Sequence, residues 1–189
     1  MLRIIAVSDY PKIASLNGNC QMDDRNSPVK ARELATIWAL VPTLAKYEPF
    51  VGMYSSRALW ATGAASVLAK AFEMDFQTVG QLGQYVNNEG ETVPFRPGYK
   101  VEDGAAWQEN GVETFKDLAD GYFVGQHGED CEASILVVSH HPLIGGVVAH
   151  CCGMTSTVKV NAIVNDPRTI GKGFRVFEIT PNGNVKLSG

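Results

Sequence analysis

The stretch Ile135-Leu-Val-Val-Ser-His-His-Pro-Leu-Ile-Gly-Gly-Val-Val-Ala-His-Cys151 decides how the chain is read. Its first four residues are apolar and mostly β-branched, which suits a strand buried on both faces. From Pro142 onward, Leu143, Ile144, Val147, Val148 and Cys151 recur at helical spacing. Proline fits the first helical position, because the N–H it lacks would have no intrahelical partner there. The expected order is strand, short turn, helix, with His140 and His141 in the turn. In an open α/β sheet such a turn lies at the carboxyl edge of the strands, where ligands bind.

The flanking sequence supplies the rest of a sheet. Residues 3–8 are rich in Ile and Val and read as a central strand ending at Ser8-Asp9. Tyr10 to Pro28 is polar and reads as a loop. A helix is expected from about Pro28 to Ala45, with Leu34, Ile37, Trp38 and Val41 as its apolar stripe and Pro42 kinking or ending it. Phe50–Ser55 reads as a second buried strand. Ser55 or Ser56 is the expected N-cap of a helix through Phe72, with a stripe of Trp60, Ala64, Val67, Leu68 and Ala71. Residues 75–79 suggest a short strand. Gly80 to Gly111 reads as a long loop, and Val112 to Val124 as a helix buried through Val112, Phe115, Leu118 and Tyr122. The tail from Gly173 alternates apolar and polar residues around Pro181-Asn-Gly-Asn184, the pattern of a β-hairpin. Gly171-Lys-Gly173 precedes a strand rather than a helix, so it reads as a turn and not as a phosphate loop.

At 189 residues, 45% hydrophobic and 19% charged, the chain is expected to form one domain with a sizeable core. A net charge of −4 gives no electrostatic case for nucleic acid or an anionic membrane surface. No apolar run reaches the roughly 20 residues of a membrane helix. The apolar N-terminus is too short for a signal peptide and reads as the first strand. Cys20, Cys131, Cys151 and Cys152 do not form a disulfide framework, so free thiols and a cytoplasmic location are expected. His140, His141, His150, Cys151 and Cys152 match no zinc spacing, and neither metal nor cofactor is expected.

Three stretches resemble the histidine phosphatase (phosphoglycerate mutase-like) superfamily, nearest to its small bacterial phosphohistidine phosphatases. Ser134-Ile-Leu-Val-Val-Ser-His-His-Pro-Leu-Ile-Gly145 is similar to the segment carrying the family's second histidine. Tyr54-Ser-Ser-Arg-Ala-Leu-Trp-Ala-Thr-Gly-Ala-Ala65 follows the frame Ser-Ser-x-x-Leu-Arg-Ala-x-Gln-Thr-Ala. Ile4-Ile-Ala-Val-Ser-Asp-Tyr10 sits where the family has a strand ending in Arg-His-Gly. The resemblance implies a three-layer α/β/α sandwich with a mostly parallel central sheet and a C-terminal hairpin at or near one edge.

It also implies phosphoryl transfer through a phosphohistidine, which needs a nucleophilic imidazole, cationic clamps on the phosphoryl oxygens and an acid for the leaving group. Mapped residue by residue, Ser8 stands at the first arginine, Asp9 at the nucleophilic histidine and Tyr10 at the following glycine. Trp60 stands at the second arginine, and Gln84 or its neighbours where the acid belongs; only His140 keeps its role. Losing two bidentate arginine clamps removes several kcal/mol of transition-state stabilisation, about as much as other oxyanion donors supply. Asp9 adds a like charge beside any phosphate. The expectation is an inactive homologue whose pocket of Ser8, Asp9, Arg57, Trp60, Gln84, His140 and His141 binds a small anionic ligand or serves a protein partner. The alternative is a hydrolase or phosphatase with altered chemistry, run by Asp9 and His140.

Individual residues carry plainer readings as well. Asp9 can cap a turn or pair with His140, and His140 can be a neutral ring held by Asp9 or Ser8. His141 reads as the residue that opens the helix. Trp60 can be core filling the old phosphate pocket, or a platform for a ring-bearing ligand. Arg57 can be a substitute cation or an exposed residue of the helix's first turn.

Overall fold

Strand β1 (Leu2–Ser8) is buried along nearly its whole length because it is hydrogen-bonded on both sides and covered on both faces. It pairs in parallel with β6 (Ala133–Ser139), in a register that sets Leu2 beside Ala133 and Ser8 beside Ser139. β6 pairs in parallel with β2 (Phe50–Ser55), and β2 with the two-residue β3 (Gln77–Thr78). On the other side of β1, β7 (Phe174–Ile179) and β8 (Val185–Ser188) run as the antiparallel C-terminal hairpin, giving the order β3-β2-β6-β1-β7-β8. The computed structural model describes residues 1–8, 31–87, 89–94, 101–125, 132–170 and 173–188. The expected loop over Tyr10–Pro28, the start of the first helix, Asp9, Cys20, Cys131 and the 171–172 turn residues lie outside them.

The period of two along each strand sorts the side chains onto two helical layers. Leu2, Ile4, Ala6, Ile135 and Val137 pack with α4 (Gly104–Gly125), α5 (His141–Cys151) and α6 (Thr157–Val164). Ile5, Val7, Met53, Leu136 and Val138 pack instead with α1 (Ala31–Trp38), α2 (Val41–Leu44) and α3 (Leu59–Ala71). This is the expected three-layer sandwich with a mostly parallel sheet and the hairpin at one edge.

Several local expectations are corrected. The single helix through Ala45 is two: α1 stops at Trp38, and a four-residue α2 restarts with Pro42 in its first turn before a 3-10 turn over Ala45–Tyr47. Pro42 lacks the N–H that a continuous helix would use there. Trp38 is 53% exposed and leaves the stripe that Ile37 anchors. Neither Ser55 nor Ser56 caps α3, whose N-cap is Ala58. Both serines are still in the ladder, Ser56 donating its N–H to Val138 and Ser55 accepting from Val79.

The region 80–111 is not one loop. It holds a 3-10 turn at Gly80–Gly83, a hairpin of β4 (Gln84–Val86) and β5 (Thr92–Pro94), and the first two turns of α4. α4 begins eight residues before the expected Val112, because Gly104 and Gly111 are contact points rather than breakers. A Cβ at Gly104 would run into Asn161 Oδ1, and one at Gly111 would stand 2.8 Å from Val147 Cγ2. α6 went unanticipated; the side chains of its Asn161 and of Asn165, which caps its C-terminus, bond the backbone of 101–104 and so fix the start of α4. Among the described residues, no helix is long and apolar enough to cross a membrane.

Candidate functional site

The carboxyl ends of β2, β6 and β1 place polar residues side by side. β6 ends at Ser139, and His140 is the extended N-cap residue from which α5 starts at His141, with Pro142 in its first two positions. The register sets Ser8 beside Ser139, and the Ser56 N–H bond to Val138 sets Ser56 on the other side. By strand alternation, Ser8 and Ser139 point to the α4–α5 face. All three serines and His140 are buried, and His140 is only 1% exposed.

Two covers account for that burial. The Trp60 ring lies against the His140 imidazole, centroids 4.3 Å apart and planes tilted by 55°. Trp60 packs in the α4–α5 core, whereas Ala64 and Leu68 of the same helix pack in the other, so the single expected stripe is corrected. Its position in the first turn of α3 lets the indole reach over the sheet edge. The second cover is the Gly80–Gly83 turn. A Cβ at Gly83 would stand 2.9 Å from His140 Nε2 and 3.1 Å from Ser56 Cβ, so only glycine lets the turn lie this close.

The turn is fastened to its surroundings. Ser139 Oγ donates to Leu82 O at 2.6 Å, Asn110 Nδ2 donates to Gln81 O at 2.9 Å, and Tyr85 meets Trp107 edge-on at 5.2 Å. Neither this role for Ser139 nor the part played by Ser56, Leu82 and Gly83 was expected. The one available signal was a glycine set between Leu82 and Gln84.

The other expected residues divide. Arg57 and Gln84 both converge on Gly80, whose Cβ would lie 3.3 Å from Gln84 Nε2 and 3.7 Å from Arg57 Cζ. Arg57 is exposed and precedes α3, in a bend rather than on the helix's first turn. Ser8 does not hold His140, since its buried hydroxyl has no hydrogen-bond partner; the same is true of Ser56. Cys151 and Cys152 are free thiols, the first half-buried and the second exposed. Burial, and secondarily Cys152, raises the Cys151 thiol to about 11. Among the described residues, no group of three or more His, Cys, Asp or Glu is arranged to hold a metal ion.

His141 opens α5 as expected. Burial, and then the neighbouring His140, lower its pKa to about 4, against a smaller opposing effect of the Asp166 carboxylate. Asp166 is itself bound to the exposed Arg168 at 2.9 Å. The folded pKa lies below the ordinary 6.5, so the unfolded chain takes up this proton first as pH falls. The stabilisation is complete above about pH 6.5 and declines down to about pH 4. Going from about pH 7 to about pH 5 is expected to cost about 2 kcal/mol through this group, and His141→Gln should remove that share. Urea denaturation of both proteins at both pH values checks it, and an equal loss in the variant would refute it.

No protein-family profile matches the chain, and no curated protein matches its sequence. Solved structures do match. A phosphoglycerate mutase from Plasmodium falciparum is 11% identical over 100% of this chain and 89% of that one, with a TM-score of 0.56. A phosphoserine phosphatase from Entamoeba histolytica, in complex with phosphoserine, is 14% identical over 100% and 96%, with a TM-score of 0.67. The protein histidine phosphatase SixA, complexed with tungstate, is 13% identical over 99% and 94%, with a TM-score of 0.57. At these identities the likeness establishes the fold.

Proposed function

The chain has the phosphoglycerate mutase-like fold of the histidine phosphatase superfamily, and we propose that it is a non-catalytic version of that fold, acting as a binding or scaffolding protein. The observation that carries the proposal is the covering of His140. The imidazole that resembles the family's second histidine is buried beneath the Trp60 indole and the Gly83 backbone. Phosphoryl transfer needs that ring, a nucleophile and positive charge around one phosphoryl group. Here the strand-end position carries the uncharged Ser8, the helix position carries Trp60, and Arg57 lies out on the Gly80 side of the turn.

The purified protein is expected to hydrolyse neither p-nitrophenyl phosphate nor a phosphohistidine peptide above a no-enzyme background. Turnover that His140→Ala or Asp9→Asn abolishes would overturn the proposal in favour of the alternative, a hydrolase in which Asp9 and His140 form a carboxylate–imidazole pair. A small anion or a protein partner remains the proposed class of binding target, and a cytoplasmic location is proposed with it from the pattern of free thiols.

A further inference from the structure

The cover over His140 is a small element set on the sheet edge. Between Val79 and Val86 the chain forms one 3-10 turn and a three-residue strand. Its attachments to the body include the Val79 N–H to Ser55 O bond at 2.8 Å, Ser139 Oγ to Leu82 O, Asn110 Nδ2 to Gln81 O and the Tyr85–Trp107 edge contact, and its strand β4 is paired with β5 in a separate two-stranded sheet. Leu82 is the one fully buried side chain it contributes, and that burial makes the closed arrangement the resting one.

Closure leaves hydrogen bonds unmade. Ser56 lies directly under Gly83, and its hydroxyl is buried without a partner. A buried hydroxyl in that condition loses its bonds to water and gains none in return. Lifting the turn would expose Ser56 and His140 Nε2 together, so part of the cost of opening is offset where the turn leaves. A short segment that contributes a single fully buried side chain belongs to the kind that opens locally.

We propose that Val79–Val86 is a latch. Closed, it seals the carboxyl edge; released, it uncovers His140 Nε2 and the Ser56 hydroxyl as a cryptic binding site, which a ligand favours by binding only the open form. The proposal rests on the reading of this edge as a binding site. It fails separately from that reading, because His140 acylation reads the opening of the segment without any measurement of turnover.

Acylation by diethyl pyrocarbonate, quantified at each histidine by mass spectrometry, tests it. Exposed His150 serves as the internal standard. Gly83→Ala drives a wedge between the turn and His140, and Asn110→Ala cuts one attachment without touching the edge. In wild type, His140 should be modified far more slowly than His150. Each variant should accelerate His140 about tenfold, the effect of losing roughly one hydrogen bond from the closed state, and leave His150 unchanged. Should Gly83→Ala not fold, Asn110→Ala carries the test alone. Unchanged His140 modification in the folded variants, or wild-type His140 reacting as fast as His150, overturns the latch.

Discussion

Gly146→Ala is expected to destabilise the protein by about 3 kcal/mol, at the top of the usual range for overpacking. The reason is the kind of atom the new methyl group would meet. A Cβ at Gly146 would stand 2.7 Å from Trp107 O and 2.8 Å from Gln108 N and Cα, all backbone atoms of α4. A side chain can turn aside, but a helix backbone moves only as a whole. Gly111 of α4 answers from the other side, with Leu143 O 3.0 Å from its would-be Cβ. The two helices therefore meet through glycine on both partners, and α4 would have to ride outward. Gly121→Ala is the control: nothing lies within 4 Å of that Cβ, so it should stabilise by about 0.5–1 kcal/mol through helix propensity. Urea denaturation measures both. A Gly146→Ala protein within about 0.5 kcal/mol of wild type, the range of an ordinary surface change, would mean that the helix contact is soft.

That helix contact also explains what the sequence concealed about the fold. Strands β1 and β6 announce themselves because burial on both faces demands an uninterrupted apolar run, whereas β2, expected as buried, buries only Met53 and Ser55 and leaves Val51 exposed. The C-terminal hairpin is legible for the opposite reason: one solvated face imposes alternation, and Asn182-Gly183 supplies the turn, Gly183 at a φ of +74°. α4 was half missed because Gly104 and Gly111 look like breakers in a single chain. Their reason lies on α6 and α5, elements far away in sequence. α6 was missed altogether: it follows polar residues, buries only Val160 and Val164, and leaves Val158 exposed, so its periodicity is faint.

The candidate site was legible in part for similar reasons. A strand ending in Ser-His-His-Pro before an apolar helix places His140 at a carboxyl edge from local chemistry alone. The covering of that histidine could not be read locally. It depends on Trp60 leaving the face of its own helix, and on a turn whose fit is set by an absent side chain at Gly83. Ser139 looked like a strand terminus and proves to be the post to which that turn is tied. Asp9 lies outside the described residues, so its pairing with His140 stays a reading of the sequence.

Trp60→Ala is expected to cost about 3 kcal/mol and to leave the protein without phosphatase activity, and the two halves of that result have different causes. The stability loss follows from removing a nearly buried indole that fills the space above the His140 ring, at 4.3 Å between centroids. Deleting a large core aromatic costs about 3–5 kcal/mol, and the low end applies because Trp60 retains 9% exposure at a sheet edge. The catalytic half follows from charge. Clearing the indole opens the imidazole but supplies no guanidinium, and a phosphoryl group in transfer needs cations more than it needs room. Chemical denaturation reads the first effect, and hydrolysis of p-nitrophenyl phosphate reads the second. If Trp60→Ala turned over the ester and the double variant with His140→Ala did not, the tryptophan would be a gate on a working site. The carboxyl edge would then hold a closed enzyme rather than a site whose chemistry has been replaced.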